Sequence, residues 1–123
     1  MKNIKNMTTI KKAIWLSYDL GIGGDYPGFY KWLDNHKAIE CGNSVAFIKY
    51  SIEKDKLVDL LKILSDDIKT SVELCTGDRI YVIYREVDGT SCSVKGNFIS
   101  GRRKSNPWEG YGDCEPTSGE DGE

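Results

Sequence analysis

The stretch "AIECGNSVAFIKYSI", Ala38 to Ile52, reads as two strands joined by a turn. Two apolar runs are split by Gly42-Asn43, a dipeptide that suits a tight hairpin because Gly and Asn tolerate positive φ. Strands are predicted near Ile39–Cys41 and Ser44–Ser51, with helices on either side. Downstream, "EKDKLVDLLKILSDDI" sets Leu57, Leu60, Leu61, Leu64 and Ile68 on one stripe at helical spacing. Upstream, Asp25 stands at an N-cap with Pro27 in the first turn, and Tyr26, Phe29, Tyr30 and Leu33 recur at i, i+3, i+4 and i+7. That helix is predicted to end near His36.

Outward again, "AIWLSYDL" (Ala13 to Leu20) alternates. Ile14, Leu16, Tyr18 and Leu20 fall on one side of the strand, and Trp15, Ser17 and Asp19 on the other. On the far side of the second helix, "RIYVIYREV" is β-branched and aromatic, and Asp88-Gly89 offers a turn into "SCSVKGNFIS". The order β-α-β-β-α-β plus a final strand, with right-handed crossovers, predicts an α+β ferredoxin-like fold. Both helices pack on one face of an antiparallel sheet and the other face stays bare. Trp15 and Ser17 should line that bare face with Tyr81 and Ile83, making an apolar patch that calls for a partner. A homodimer across the sheet is the expected contact, and Trp108 and Tyr111 of "NPWEGYG" are expected to anchor on an exposed surface such as that of the neighbouring subunit.

The 123 residues suffice for one domain. We divide them into a flexible basic arm (1–12), the domain (13–112) and a disordered acidic tail (113–123). The arm has four lysines and no acid. Net charge is −2, but six acids and no bases follow from Glu109 onward, so the rest of the chain stands near +4. Cys41, Cys75, Cys92 and Cys114 lack the close spacing of a zinc knuckle or redox pair, and no segment reads as a membrane span or secretory signal. Free thiols and a cytoplasmic location are expected.

The chemistry-bearing residues are few. "GIGGDY" follows a strand and precedes a helix, where backbone amides can hold phosphate. Tyr26 stands where a dinucleotide fingerprint needs its third glycine, and no Gly-Lys-Ser/Thr follows for a Walker loop. These glycines read as turn-makers. His36 is the only histidine and lacks a nucleophilic partner in any motif. Asp19, at the end of the first strand on the bare face, is the candidate catalytic and metal-binding carboxylate. A two-fold axis would pair it with its copy around Mg²⁺ or Mn²⁺; otherwise it accepts hydrogen bonds from the amides of Gly21 to Gly24. Arg79, Arg85, Lys95, Arg102, Arg103 and Lys104, interleaved with Tyr81, Tyr84, Phe98 and Trp108, suit phosphate contacts combined with base stacking.

The apolar first strand ending in Tyr18-Asp19, the helix begun by "DYPGFYKWL" and the late strand "RIYVIYR" resemble the small CRISPR-associated dimeric nucleases and their virulence-associated D-type toxin relatives. The resemblance spans roughly residues 13 to 100 and is mainly architectural. It implies a ferredoxin-like homodimer with sheets packed face to face, a final strand that can cross to the partner, and strand-end aspartates that hold the metal for phosphodiester cleavage. That role would fall on Asp19. "GIGGD" replaces the arginine-bearing segment of that family, and "PWEGYG" and the acidic tail lie outside its pattern. Members can also serve as structural subunits.

Three functions follow from these features. The leading one is a cytoplasmic homodimer that binds nucleic acid or a nucleic-acid-handling protein. The others are a metal-dependent endonuclease using paired Asp19 carboxylates, and an inhibitor or adaptor in host–phage conflict whose acidic tail mimics nucleic-acid charge.

Overall fold

A computed structural model of the chain describes residues 8–113. It is α+β: a five-stranded antiparallel sheet with two α-helices. The elements in chain order are β1 (Thr9–Asp19), α1 (Tyr26–Asn35), β2 (Ile39–Glu40), β3 (Val45–Glu53), a 3-10 segment (Lys54–Asp59), α2 (Leu60–Lys69), β4 (Arg79–Asp88) and β5 (Ser91–Ser100). Strand order across the sheet is β2-β3-β1-β4-β5. The central strand β1 is antiparallel to both neighbours, with Leu16 opposite Ala46 on one side and Val82 on the other.

β1 begins four residues earlier than the alternation from Ala13 predicts. Thr9 to Lys12 pair with Glu53 to Tyr50, and Ile10 packs against the core, so this part of the expected arm is strand. The tail from residue 114, including Cys114, lies outside the described residues. Among those described, Cys41, Cys75 and Cys92 are free thiols, and no helix is long and apolar enough to cross a membrane.

Period-two alternation sends one set of side chains from each strand to a single core. Ile14 and Leu16 of β1, Ala46, Ile48, Tyr50 and Ile52 of β3, and Ile80 and Val82 of β4 join Phe29, Trp32 and Leu33 of α1 and Leu60, Leu64 and Ile68 of α2 in that cluster. The stripe predicted on α2 is the buried one, although its first turn, around Leu57, winds as a 3-10 segment. On α1 the buried face is rotated from the predicted stripe: Trp32 is fully buried, whereas Tyr30 is half exposed. Trp32 wins the core position because its ring continues the stack from Phe29, with centroids 6.3 Å apart, and meets Tyr50 from β3. Its indole N–H has no hydrogen-bond partner among the described residues.

The hairpin between β2 and β3 turns with positive φ at Gly42 and Ser44, rather than at Asn43, and closes through Val45 N–H donating to Gly42 O. A bulge in the β4–β5 ladder sets Ile80 opposite Ser100 but Tyr81 opposite Phe98. The intervening Ile99 is thereby turned against the core while Phe98 stays on the other face.

Asp25 caps α1 as predicted and does more. Its carboxylate accepts from Gly28 N–H at 3.0 Å and from Glu73 N–H, beyond α2, at 2.9 Å. These two backbone donors, Glu73 foremost, hold its carboxyl below the usual carboxylate range. A Cβ on Gly28 would collide with Asp25 Oδ2 and with Ser71 O. Gly28→Ala is therefore expected to destabilise the protein by about 1–3 kcal/mol in urea unfolding, as overpacking does, despite alanine's helix-propensity advantage of about 1 kcal/mol. A variant as stable as the parent would mean that Gly28 does not separate α1 from the Ser71 segment.

Candidate nucleic-acid interface

The second set of strand side chains faces away from the helices. One rung crosses all five strands, running Ile39, Phe47, Trp15, Ile83 and Gly96. The Trp15 and Phe47 rings lie 5.0 Å apart between centroids. The next rung carries Ser17, Tyr81 and Phe98, and the last two meet edge to face at 4.7 Å. Trp15 is 38% exposed and Ile39 is 58% exposed. Trp15, Ser17, Tyr81 and Ile83 thus share one open face, with Phe47 added from β3. The alternation of Val45, Phe47 and Lys49 against Ala46, Ile48 and Tyr50 carries the signal for Phe47.

Gly96 has a specific use on this face. A Cβ there would overlap the Tyr81 ring and hydroxyl. With glycine, the ring lies across β5 and beside Phe98.

At the end of β1 the face becomes charged. Asp19 pairs in register with Arg79, and both line a concavity of about 280 Å³ with Ser17, Tyr81, Phe98 and Arg103. The Arg79 and Arg103 guanidinium carbons lie 5.5 and 5.8 Å from the Phe98 ring centroid. Such cation–π contact keeps charged donors over an aromatic face. Arg79 Nε also donates to Arg102 O at 3.1 Å, fixing the start of the basic run. A second concavity, of about 650 Å³, adjoins the first through Arg79 and Arg103 and is lined further by Arg102, Lys104 and the Cys75–Asp78 turn.

Asp78 builds this corner. It is 2% exposed. Its carboxylate accepts from Gly21 N–H at 2.6 Å and from Cys75 N–H at 2.8 Å, tying the loop after β1 to the turn before β4. Its backbone oxygen accepts from Ser100 Oγ at 3.3 Å. The loop-amide role expected of Asp19 therefore belongs to Asp78. Sequence spacing holds no hint of it, since 57 residues separate Asp78 from Gly21. The glycine loop closes on itself instead of forming an open cradle, with Gly24 N–H donating to Gly21 O at 2.7 Å.

Arg79, Arg102, Arg103, Lys104 and Asp19 are thus brought together. Arg85 and Lys95 are not: they lie toward the other end of the β4–β5 hairpin. Arg85 Nε is 3.1 Å from Cys92 Sγ, and Lys95 pairs with Glu86 at 3.8 Å on the row opposite the aromatic face. Tyr84 also belongs to that row, where burial pushes its phenol up. Trp108 and Tyr111 are exposed, at 66% and 84%, so the described part of their own chain does not bury them. Among the described residues no group of three or more His, Cys, Asp or Glu could hold a metal ion. Asp19 could contribute one carboxylate, beside two arginines.

His36 ends α1, away from this corner. Its Nδ1 lies 2.8 Å from Trp32 O, and its Nε2 lies 3.2 Å from Asp67 Oδ2. Tyr50 donates to the same Asp67 oxygen at 2.8 Å. Burial and that bond push the Tyr50 phenol well up. The arrangement fastens α1 to α2 and β3.

No family model, curated protein or solved structure matches this chain.

Proposed function

We propose that the chain is a ferredoxin-like module that binds single-stranded nucleic acid on its open sheet face. Four strands in the order β4-β1-β3-β2, with right-handed crossovers, would make the ferredoxin-like arrangement, and β5 extends its β4 edge. One observation carries the functional reading: Tyr81 and Phe98 lie on an uncovered sheet face with Arg79 and Arg103 over Phe98. Aromatic faces accept bases of any identity, and guanidinium groups beside them accept backbone phosphates bidentately.

Arg102→Gln combined with Arg103→Gln tests this. If both side chains neutralise phosphates, the slope of log K against log salt on a labelled oligothymidylate shrinks by about 0.7 for each phosphate left unneutralised. An unchanged slope would place the phosphates elsewhere and count against the reading.

A face-to-face homodimer is the second reading, supported by the apolar rung of Ile39, Phe47, Trp15 and Ile83 on the same surface. The two uses compete. A dimer in sedimentation that dissociates as oligonucleotide is added would support both, whereas a stable monomer would remove the dimer. The endonuclease reading requires a second copy of Asp19, because its own chain surrounds it with arginine. The inhibitor reading depends on an acidic tail that falls largely outside the described residues.

A further inference from the structure

We propose that Lys11, Lys37 and Lys49 form a second phosphate-binding corner, so that a single strand runs along β1 between it and the arginine corner. The inference rests on the reading of the open face as a nucleic-acid platform. The three lysines line a concavity of about 250 Å³ together with Ile39, Phe47 and His36. No acid lines it. Among the described residues none of the three lysines forms an ion pair. Phe47 belongs both to this corner and, through its contact with Trp15, to the aromatic platform. Lys11 and Asp19 mark the two ends of the platform on β1, eight residues or about 26 Å apart at the usual strand rise.

Lys37 carries the independent observation. Ala38 N–H donates to Leu33 O and Lys37 N–H donates to Asp34 O, the bond pair of a Schellman helix end. Lys37 therefore occupies the position that glycine usually takes, with φ of 56°. A side chain there is strained, and glycine would relieve the strain. Strain retained at a residue that lines a cationic concavity points to a use for its side chain.

The test uses the full chain and two labelled oligothymidylates, one of about twelve nucleotides and one of about three, either side of the shortest usual single-strand sites. Lys37→Gly is expected to raise the melting temperature by about 4 °C while reducing the salt slope on the longer oligonucleotide by about 0.7. Lys11→Gln with Lys49→Gln should reduce that slope by about 1.4. Binding of the short oligonucleotide, held at the arginine corner, should not change. If the parent binds the longer oligonucleotide and these variants keep its slope, the second corner is overturned while the platform stands. If Lys37→Gly is no more stable than the parent, the strain argument is overturned. Failure of the parent to bind either oligonucleotide overturns corner and platform together.

Discussion

Replacing Asp78 with alanine is expected to destabilise the protein by about 3 kcal/mol or more, since hydrogen bonds to a charged group contribute about 1.5–3 kcal/mol each. The substitution strands two backbone donors, Gly21 N–H and Cys75 N–H, beside a carboxylate site that is 2% exposed. Water cannot replace the missing acceptor without opening the loops. Asp78→Asn keeps one carbonyl acceptor but turns an amide N–H₂ toward the other donor, so it should recover only part of the stability. Urea unfolding measures both, with the change read from the midpoint at constant m. A change below about 1 kcal/mol, the range of an ordinary surface contact, would mean that the two loops hold together without this carboxylate. Because Arg79 follows Asp78 directly, the same variant should also loosen the arginine corner.

The second large effect concerns binding. Tyr81→Ala together with Phe98→Ala should weaken single-strand binding by about 2–6 kcal/mol, roughly 30- to 20,000-fold, if each ring stacks on one base. The salt slope should hardly move, because every phosphate partner is kept. That combination separates stacking from charge, and the arginine variants should show the reverse. Gly96→Ala offers a gentler version. The Cβ overlaps the far end of the Tyr81 side chain, which can swing aside, so affinity should fall while the melting temperature changes little. Wild-type affinity in the double variant would mean that the open face does not carry the strand.

Much of this fold is legible from periodicity. Strand alternation at Ile14, Leu16 and Trp15 separates core from open face, and the leucine stripe of α2 identifies its buried side, because burial repeats with the local period. α1 is harder to read. Its ten residues set Tyr30 and Trp32 on opposite flanks of the Phe29–Leu33 stripe, and only the stack from Phe29 onto Trp32 and the approach of Tyr50 choose which flank is buried. The candidate site is legible where it follows strand parity, as at Trp15, Ser17, Asp19 and Tyr81. It is not legible where it depends on distant segments meeting. Asp78 acts on Gly21 across 57 residues, and Lys37 joins Lys11 and Lys49 only because a helix ends in a left-handed residue that is not glycine. Arg85 and Lys95 look equivalent to Arg79 in sequence, yet the length of the β4–β5 hairpin carries them away from the corner.

If the open sheet face holds a single strand through phosphate contacts and stacking, binding must be saturable and sensitive to salt. Fluorescence anisotropy of a labelled oligothymidylate, titrated with the full chain at about 50 and 200 mM salt, measures both. The expected result is saturable binding that weakens markedly at the higher salt and is not competed by an excess of duplex of the same length. Absence of binding at the lower salt, or retention that ignores salt, would contradict it.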